Sequence, residues 1–503
     1  MPVTAVDTRP HVVIVGGGIA GLAAALEVLD AMPTAEVTVL EGSERLGGKL
    51  RLERVAGHAV DVGAESLLAV RPEAVDLATR VGAQADLVTP ATTSASVWSR
   101  GALRPMPRAT LMGVPTDPES ARGVLTDDEV GRLRREREWP GGVVAEDVAV
   151  GEYVGRRLGQ AVVDRLVEPL LGGVYAGHAS RLSLRATMPV LWDRATRGES
   201  LLTPQPGGTA SGRLAASDGV PAPDGLPASD RSVGSVAPRP AFAGIRGGVG
   251  RLPTLVADEL HTRGATVRTG IVVRGLERAG ERWRLVLGSA ASPRAIQADA
   301  VILCLPPAPA ARLLGPHAAT AARLLGEVET ASTAVVTLAV ERTGLGELPG
   351  SGFLVPPVEG RAIKASTFSA NKWAWTGELS EDVVHLRASL GRAREEAVLQ
   401  REDGDLVAAA VVEIGAALGR PLTRVVDAHV QRWGGGIPQY AVGHVDAVAS
   451  IRADVHRVPG LEVAGATYDG VGVPAVVASA TCAARATVQH LSTAATRRGD
   501  HTA

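Results

Sequence analysis

The chain has 503 residues, 45% apolar and 21% charged, which is too apolar for a disordered polymer and too long for one core, so at least two domains are expected. Acidic residues number 54 and basic residues 52, a formal net charge of −2 that gives no electrostatic reason for a nucleic-acid partner. Two cysteines, Cys304 and Cys482, cannot build a disulfide framework, and no Cys/His cluster has zinc-ligand spacing, so no metal and a reducing compartment are expected. No segment approaches the ~20 apolar residues of a membrane span, and Met1 to Pro10 lacks a basic stretch followed by an apolar run. The expected location is the cytoplasm, at most on a membrane surface.

In chain order, the first forty residues read as strand, glycine turn, helix and strand: His11 to Val15, the glycines, Leu22 to Ala31, and Glu36 to Leu40. Between Leu111 and Trp192 the pattern turns helical, with a charge-laced run from Asp127 to Glu138 and apolar periodicity from Val148 through Leu171. From Thr203 to Pro240, 24 of 38 residues are Gly, Pro, Ser or Ala and none is aromatic, which predicts a disordered insertion. Gly247 to Leu260 then reads as a turn and helix, Thr266 to Leu276 as strands, and Ala300 to Leu305 as a buried strand stopped by Pro306-Pro307. Alternation near Ala334 to Val340 and Val383 to Leu390 predicts a second sheet.

Gly16, Gly17, Gly18, Ile19, Ala20 and Gly21 fit GxGxxG between an apolar strand and a helix. The first glycine allows a tight turn, the second lets backbone approach a pyrophosphate, the third lets helix pack on strand, and the helix N-terminus offers N–H groups and a positive dipole. Glu41, twenty residues past Gly21, stands where a carboxylate accepts hydrogen bonds from an adenosine ribose and repels a 2′-phosphate. The following run, Gly42 through Arg45, Gly47, Gly48 and Lys49, adds a glycine pair and fixed cations suited to a dinucleotide diphosphate. A P-loop is excluded because Leu50, not Ser or Thr, follows Lys49. Near the other end, a short strand at Leu461 to Ala464 leads through Gly465, Val471, Gly472 and Val473 into a helix-forming run, with Pro474 suited to its first turn. Aimed at an isoalloxazine, that helix start would favour the negative charge of a reduced flavin.

These stretches, with Gly63-Ala64-Glu65-Ser66-Leu67-Leu68, Glu168-Pro169, Gly172-Gly173-Val174-Tyr175-Ala176-Gly177, Gly436-Ile437-Pro438-Gln439-Tyr440 and Gly443-His444, resemble the protoporphyrinogen/coproporphyrinogen oxidases of haem synthesis, closest to the Gram-positive bacterial coproporphyrinogen III oxidase type. The resemblance runs from His11 to about His490 apart from the insertion. It implies an α/β (α+β overall) fold with an FAD-binding Rossmann-like domain of the amine-oxidase type, a mixed-sheet substrate domain and a helical domain. The expected division is 1–90, 241–300 and 455–503 for FAD, 91–110 and 301–454 for substrate, 111–200 for the helical part, and 203–240 for the insertion. Carried over by position, non-covalent FAD would be held by Gly16 to Gly21, Glu41, Gly42, Arg45, Gly48, Lys49, Gly63 to Ser66, the Val273 backbone, Trp433, Gly465 and Val471 to Val473.

The porphyrinogen would lie near Gly173, Gly177 and Phe353. This chain has Ala95 where some relatives place a propionate-binding arginine, and Ser389 where many have an aromatic, so Arg71, Arg100 and Arg387 become the candidates for substrate carboxylates. The implied activity is a six-electron oxidation of coproporphyrinogen III with dioxygen, and no side chain is assigned as general base. Protoporphyrinogen IX is the alternative substrate, and transient docking with the next haem-pathway enzyme is a further expectation. A flavin amine oxidase is the more distant alternative; it would want a lysine near N5 and an aromatic cage, against three lysines and 14 aromatics in this whole chain.

Overall fold

The computed structural model describes residues 9–108, 110–138, 143–202, 241–289 and 291–500; Thr203 to Pro240, the expected insertion, lies outside them. A five-stranded parallel sheet is assembled from distant pieces of chain in the spatial order Thr266–Arg268, Glu36–Leu40, His11–Val15, Ala300–Leu303, Leu461–Val463. Its strands are near-continuous apolar runs because both faces are covered. On one face Val12, Ile14, Val37, Val39 and Ile302 pack on the helices Ile19–Ala31, Leu252–Thr262 and Val473–Asp500. On the other, Val13, Val15, Val301 and Leu303 pack on the meander Val273–Ala298 and the helices Pro307–Leu314, Ala319–Gly326 and His444–His456.

This arrangement corrects the expected boundary at residue 300. The Ala300–Leu303 strand straddles it and pairs with His11–Val15, and the two helices after it cover the same sheet. Residues 301 to 326 and His444–His456 therefore build the nucleotide-type unit, not the substrate sheet.

The second sheet has seven strands in the order Val425–Pro438, Thr330–Glu341, Val383–Leu390, Ile363–Thr367, Gly352–Leu354, Ser96–Ser99, Ala102–Pro105. All its pairings are antiparallel except that of Ser96–Ser99 with Gly352–Leu354. A helical cluster from Leu111 to Leu202 buries Val150, Val154, Leu158, Leu166 and Leu171 among its own elements. One of its helices, Asp127–Arg134, starts in a capping box: the Thr126 hydroxyl accepts from the Glu129 amide while the Glu129 carboxylate accepts from the Thr126 amide.

Candidate active site

The glycine turn divides its labour as the spacing predicts. Gly16 has φ +113°, and a Cβ at Gly21 would overlap the Gly16 carbonyl oxygen, so strand and helix touch through backbone. At Gly18 the nearest atom to an added Cβ is the Gly48 Cα at 4.0 Å, so this position borders open space. The Gly17 carbonyl accepts from the Gly47 amide at 2.8 Å, and Gly18 bridges to Gly47, holding the two glycine loops side by side. The helix Ile19–Ala31 begins at Gly18 without a side-chain cap, leaving its first amides for a ligand.

Glu41 accepts from the Gly17 amide at 2.7 Å and from the Ser43 amide at 2.8 Å, which fixes its carboxylate at the end of the second strand. Gly42 faces the Val272 side chain, next to Val273, where the meander begins. Arg45 donates to the carbonyls of Leu46 (3.2 Å) and Gly48 (2.8 Å) and lies 5.7 Å from the Trp433 ring, so it clamps its own loop. Desolvation, and then the neighbouring Arg51, lower its pKa. Lys49 has no hydrogen-bond or ion-pair partner among the described residues; its side chain keeps accessible surface yet is walled in by protein, and that desolvation lowers its pKa. An unpaired ammonium, open helix-start amides and a carboxylate at the strand end are groups with which a dinucleotide can be held.

The C-terminal loop closes on the same place. Gly465 has φ +126° and its amide donates to the Ser479 hydroxyl oxygen at 3.2 Å; a Cβ there would lie 3.9 Å from Ala20. Gly472 is exposed, Val473 begins the long helix, and Val471 packs against the helical cluster. Tyr440 donates its hydroxyl to the Ala466 carbonyl at 2.5 Å, stacks on His444 at 4.0 Å and lies 5.5 Å from Tyr175. The Gln439 amide nitrogen donates to the Tyr175 carbonyl at 2.7 Å. One short segment thus ties the C-terminal loop to the helix Glu168–Tyr175.

The Gly63 to Ser66 loop departs from expectation. A Cβ at Gly63 would overlap the Lys49 carbonyl, and the Ala64 amide donates to that carbonyl at 3.3 Å, so the loop lies against Lys49. Trp433 donates to the Val62 carbonyl beside it at 3.3 Å. The Glu65 carboxylate, however, is taken up by Lys372 at 2.8 Å, Arg387 at 2.6 Å and the Ser369 hydroxyl at 3.0 Å, while Lys372 also donates to Ser66 at 2.7 Å. Burial would raise Glu65, but the two cations hold it well below the usual carboxylate range. Asp61, two residues from Gly63, accepts from the amides of Val249 and Gly250, and burial pushes its carboxyl up to about 7. Lys372 escaped the sequence reading, although it is one of only three lysines in an arginine-rich chain.

Each of the three arginines expected to meet substrate carboxylates has a carboxylate partner within the chain. Arg387 lies on an interior strand, pairs with Glu65 and donates to the Gly63 carbonyl at 2.5 Å. Arg100 binds both oxygens of Glu129 at 2.8 Å and the Val124 carbonyl, joining the hairpin to the capping box. Arg71 pairs with Glu73 at 2.6 Å on the first turn of the next helix. Phe353 is 2% exposed in the sheet core and 6.0 Å from Phe368, and its strand neighbour Leu354 faces Gly173. Gly177 abuts the Gln439 amide and Leu182.

Comparison with known proteins agrees with this geometry. Residues 19–488 match the family described as flavin containing amine oxidoreductase. The coproporphyrinogen III oxidase of Mycobacterium tuberculosis (strain H37Rv) is 33% identical over 488 residues, covering 95% of this chain and 97% of that protein. A solved structure from Exiguobacterium sp. 255-15, assigned as a protoporphyrinogen oxidase, superposes with a TM-score of 0.80 at 30% identity over 96% of this chain and all of the other. Cyclohexylamine oxidase from Brevibacterium oxydans IH-35A shares the fold alone, with a TM-score of 0.65 at 14% identity over 96% of this chain and all of its own. The match over residues 19–488, most of the chain, places it in the flavin-containing amine oxidoreductase family.

Proposed function

We propose that this protein oxidises coproporphyrinogen III to coproporphyrin III with dioxygen as acceptor. Six electrons and six hydrogens leave the tetrapyrrole in three rounds, and three dioxygen molecules become three of hydrogen peroxide. The observation that carries the reading is the end-to-end likeness to a coproporphyrinogen III oxidase at 33% identity. The residues fit FAD: the space beside Gly18, the unpaired Lys49 and the carboxylate of Glu41 suit its diphosphate and ribose, and the Val473 helix start suits its ring. When bound, FAD supplies the two-electron acceptor.

The chain's own part is to bind, orient and dry the reactants. Because the product gains aromatic stabilisation, positioning is the main requirement. The helix Glu168–Tyr175 is anchored in the helical cluster by buried Leu171 and Tyr175 and is tied through Gln439 and Tyr440 to the C-terminal loop. No side chain is assigned as general base. Lys372, which an amine oxidase reading would seek near the flavin, is paired with Glu65 and Ser66.

Coproporphyrinogen III carries four propionates where protoporphyrinogen IX carries two propionates and two vinyls. No helix among the described residues is long and apolar enough to cross a membrane, which suits the more water-soluble ring. The test is porphyrin fluorescence with both porphyrinogens in detergent-free buffer at matched oxygen. The expected kcat/KM is several-fold higher for coproporphyrinogen III. A ratio favouring protoporphyrinogen IX would transfer the assignment to that ring, and an unbleached flavin with both under anaerobic mixing would remove the porphyrinogen reading altogether.

A further inference from the structure

Two cations are buried together without a counter-ion. Lys364 is 3% exposed and Arg392 is 5% exposed, and no carboxylate oxygen lies within ion-pair distance of either head among the described residues. Every other buried or half-buried cation discussed above, Lys49 excepted, has a carboxylate or a full set of carbonyls. Isolated buried charge is costly enough that proteins pair it or neutralise it.

The local backbone brings the two together. The register between Ile363–Thr367 and Val383–Leu390 slips by one residue between Ile363 and Ala365, so Lys364 is the extra residue of a bulge, a device that re-aims a side chain. Arg392 follows two residues after Leu390, the partner of Ile363. Both hang on Val355: its amide donates to the Lys364 carbonyl at 2.9 Å, and its carbonyl accepts from Arg392 at 2.9 Å. The Arg392 Nε has no partner and faces Gly172, where an added Cβ would stand 3.8 Å away. The pair thus lies against the glycine face of the helix Glu168–Tyr175, whose other side meets the segment tied to the C-terminal loop.

The nearest acids, Glu395 and Glu168, act on Arg392 through charge without an ion pair to it. Glu168 accepts from the Ala179 amide at 2.9 Å, has its other oxygen 4.0 Å from His178 with no hydrogen bond, and is raised by burial; Glu395 is half exposed and points at His178. Burial, and secondarily Arg392, pull the Lys364 ammonium down to about 7, a shift that a bound carboxylate would reverse.

We propose that Lys364 and Arg392 form the subsite for one propionate carboxylate of the tetrapyrrole, taking over the role expected of Arg387. The proposal rests on the porphyrinogen reading. An ammonium and a guanidinium side by side complement one carboxylate, and pairing there removes the cost of two uncompensated charges.

The test uses the FAD-loaded full-length protein and two porphyrins, coproporphyrin III and its tetramethyl ester, in one detergent. Wild-type protein should bind the acid at least ten-fold tighter than the ester by fluorescence titration. Lys364→Met should raise the Kd for the acid, and KM for coproporphyrinogen III, about ten-fold, with kcat within two-fold and the Kd for the ester unchanged. Lys364→Arg should restore acid binding. Equal wild-type affinity for acid and ester would overturn the subsite without recourse to any variant, as would Lys364→Met weakening both ligands alike. If wild-type protein binds the acid selectively yet oxidises no porphyrinogen, the activity falls and the subsite stands.

Discussion

At the scale of single residues, Gly18 and Gly21 look alike in the sequence and differ in consequence. Gly18 borders open space and Gly21 touches the Gly16 carbonyl. Gly18→Val should therefore fold with an unchanged melting temperature in the cofactor-free state and retain no FAD, since the branched side chain fills the room a pyrophosphate needs. Gly21→Val should fail earlier, as insoluble or poorly folded protein. Flavin absorbance and a thermal melt distinguish the two, and full flavin content in the Gly18 variant would mean that the turn faces something else. Glu65 makes a different prediction. Its carboxylate is shared by Lys372 and Arg387, so Glu65→Ala leaves two buried cations unpaired and should cost about 3–5 kcal/mol in denaturant unfolding. A loss within experimental error would mean that water already solvates the cluster. The sequence marks Glu65 through its family position and Arg387 only as a candidate for substrate carboxylates, and it cannot tell that each is the other's partner, because 322 residues separate them.

Among elements, the strands and helices were more legible than their neighbours in space. The apolar runs His11–Val15 and Ala300–Leu303 both announce buried strands, yet nothing within either says that they pair, and so the boundary fell one strand too early. Phe353 and Leu354 show a second limit: both suit a strand, but the pleat puts them on opposite faces, and only the placement of the helix Glu168–Tyr175 decides which one lies beside Gly173. The turns at the glycine loops are legible because their spacing is set by backbone geometry, whereas arginine partners depend on tertiary placement. The join between Tyr440 and His444 carries a pH prediction. Burial pulls the His444 imidazole down to about 4 from an ordinary 6.5. The unfolded chain therefore takes up a proton as pH falls through 6.5 while the folded protein does not, so this contribution is present above pH 6.5 and is lost towards pH 4. It amounts to on the order of 3 kcal/mol. His444→Phe keeps a ring on Tyr440 and should flatten the acid slope of the melting temperature between pH 6.5 and 4.5. An unchanged slope would assign the acid loss to other groups.

For the whole molecule, the parallel sheet has a consequence in time. Its strands come from distant parts of the chain, with about 450 residues between His11–Val15 and Leu461–Val463, which flank Ala300–Leu303 on either side. At a synthesis rate of about 5–20 residues per second, the first strand waits roughly 20–90 s on the ribosome for the last. Such non-local parallel pairing folds slowly even once the chain is complete. The Gly18 amides and the Val473 helix start thus meet only after release, and flavin loading is a post-translational event. A chain ended before Leu461, lacking the last strand and the closing helix, should be colourless at any FAD concentration in the growth medium, because the Ala300–Leu303 strand then lacks its Leu461–Val463 neighbour.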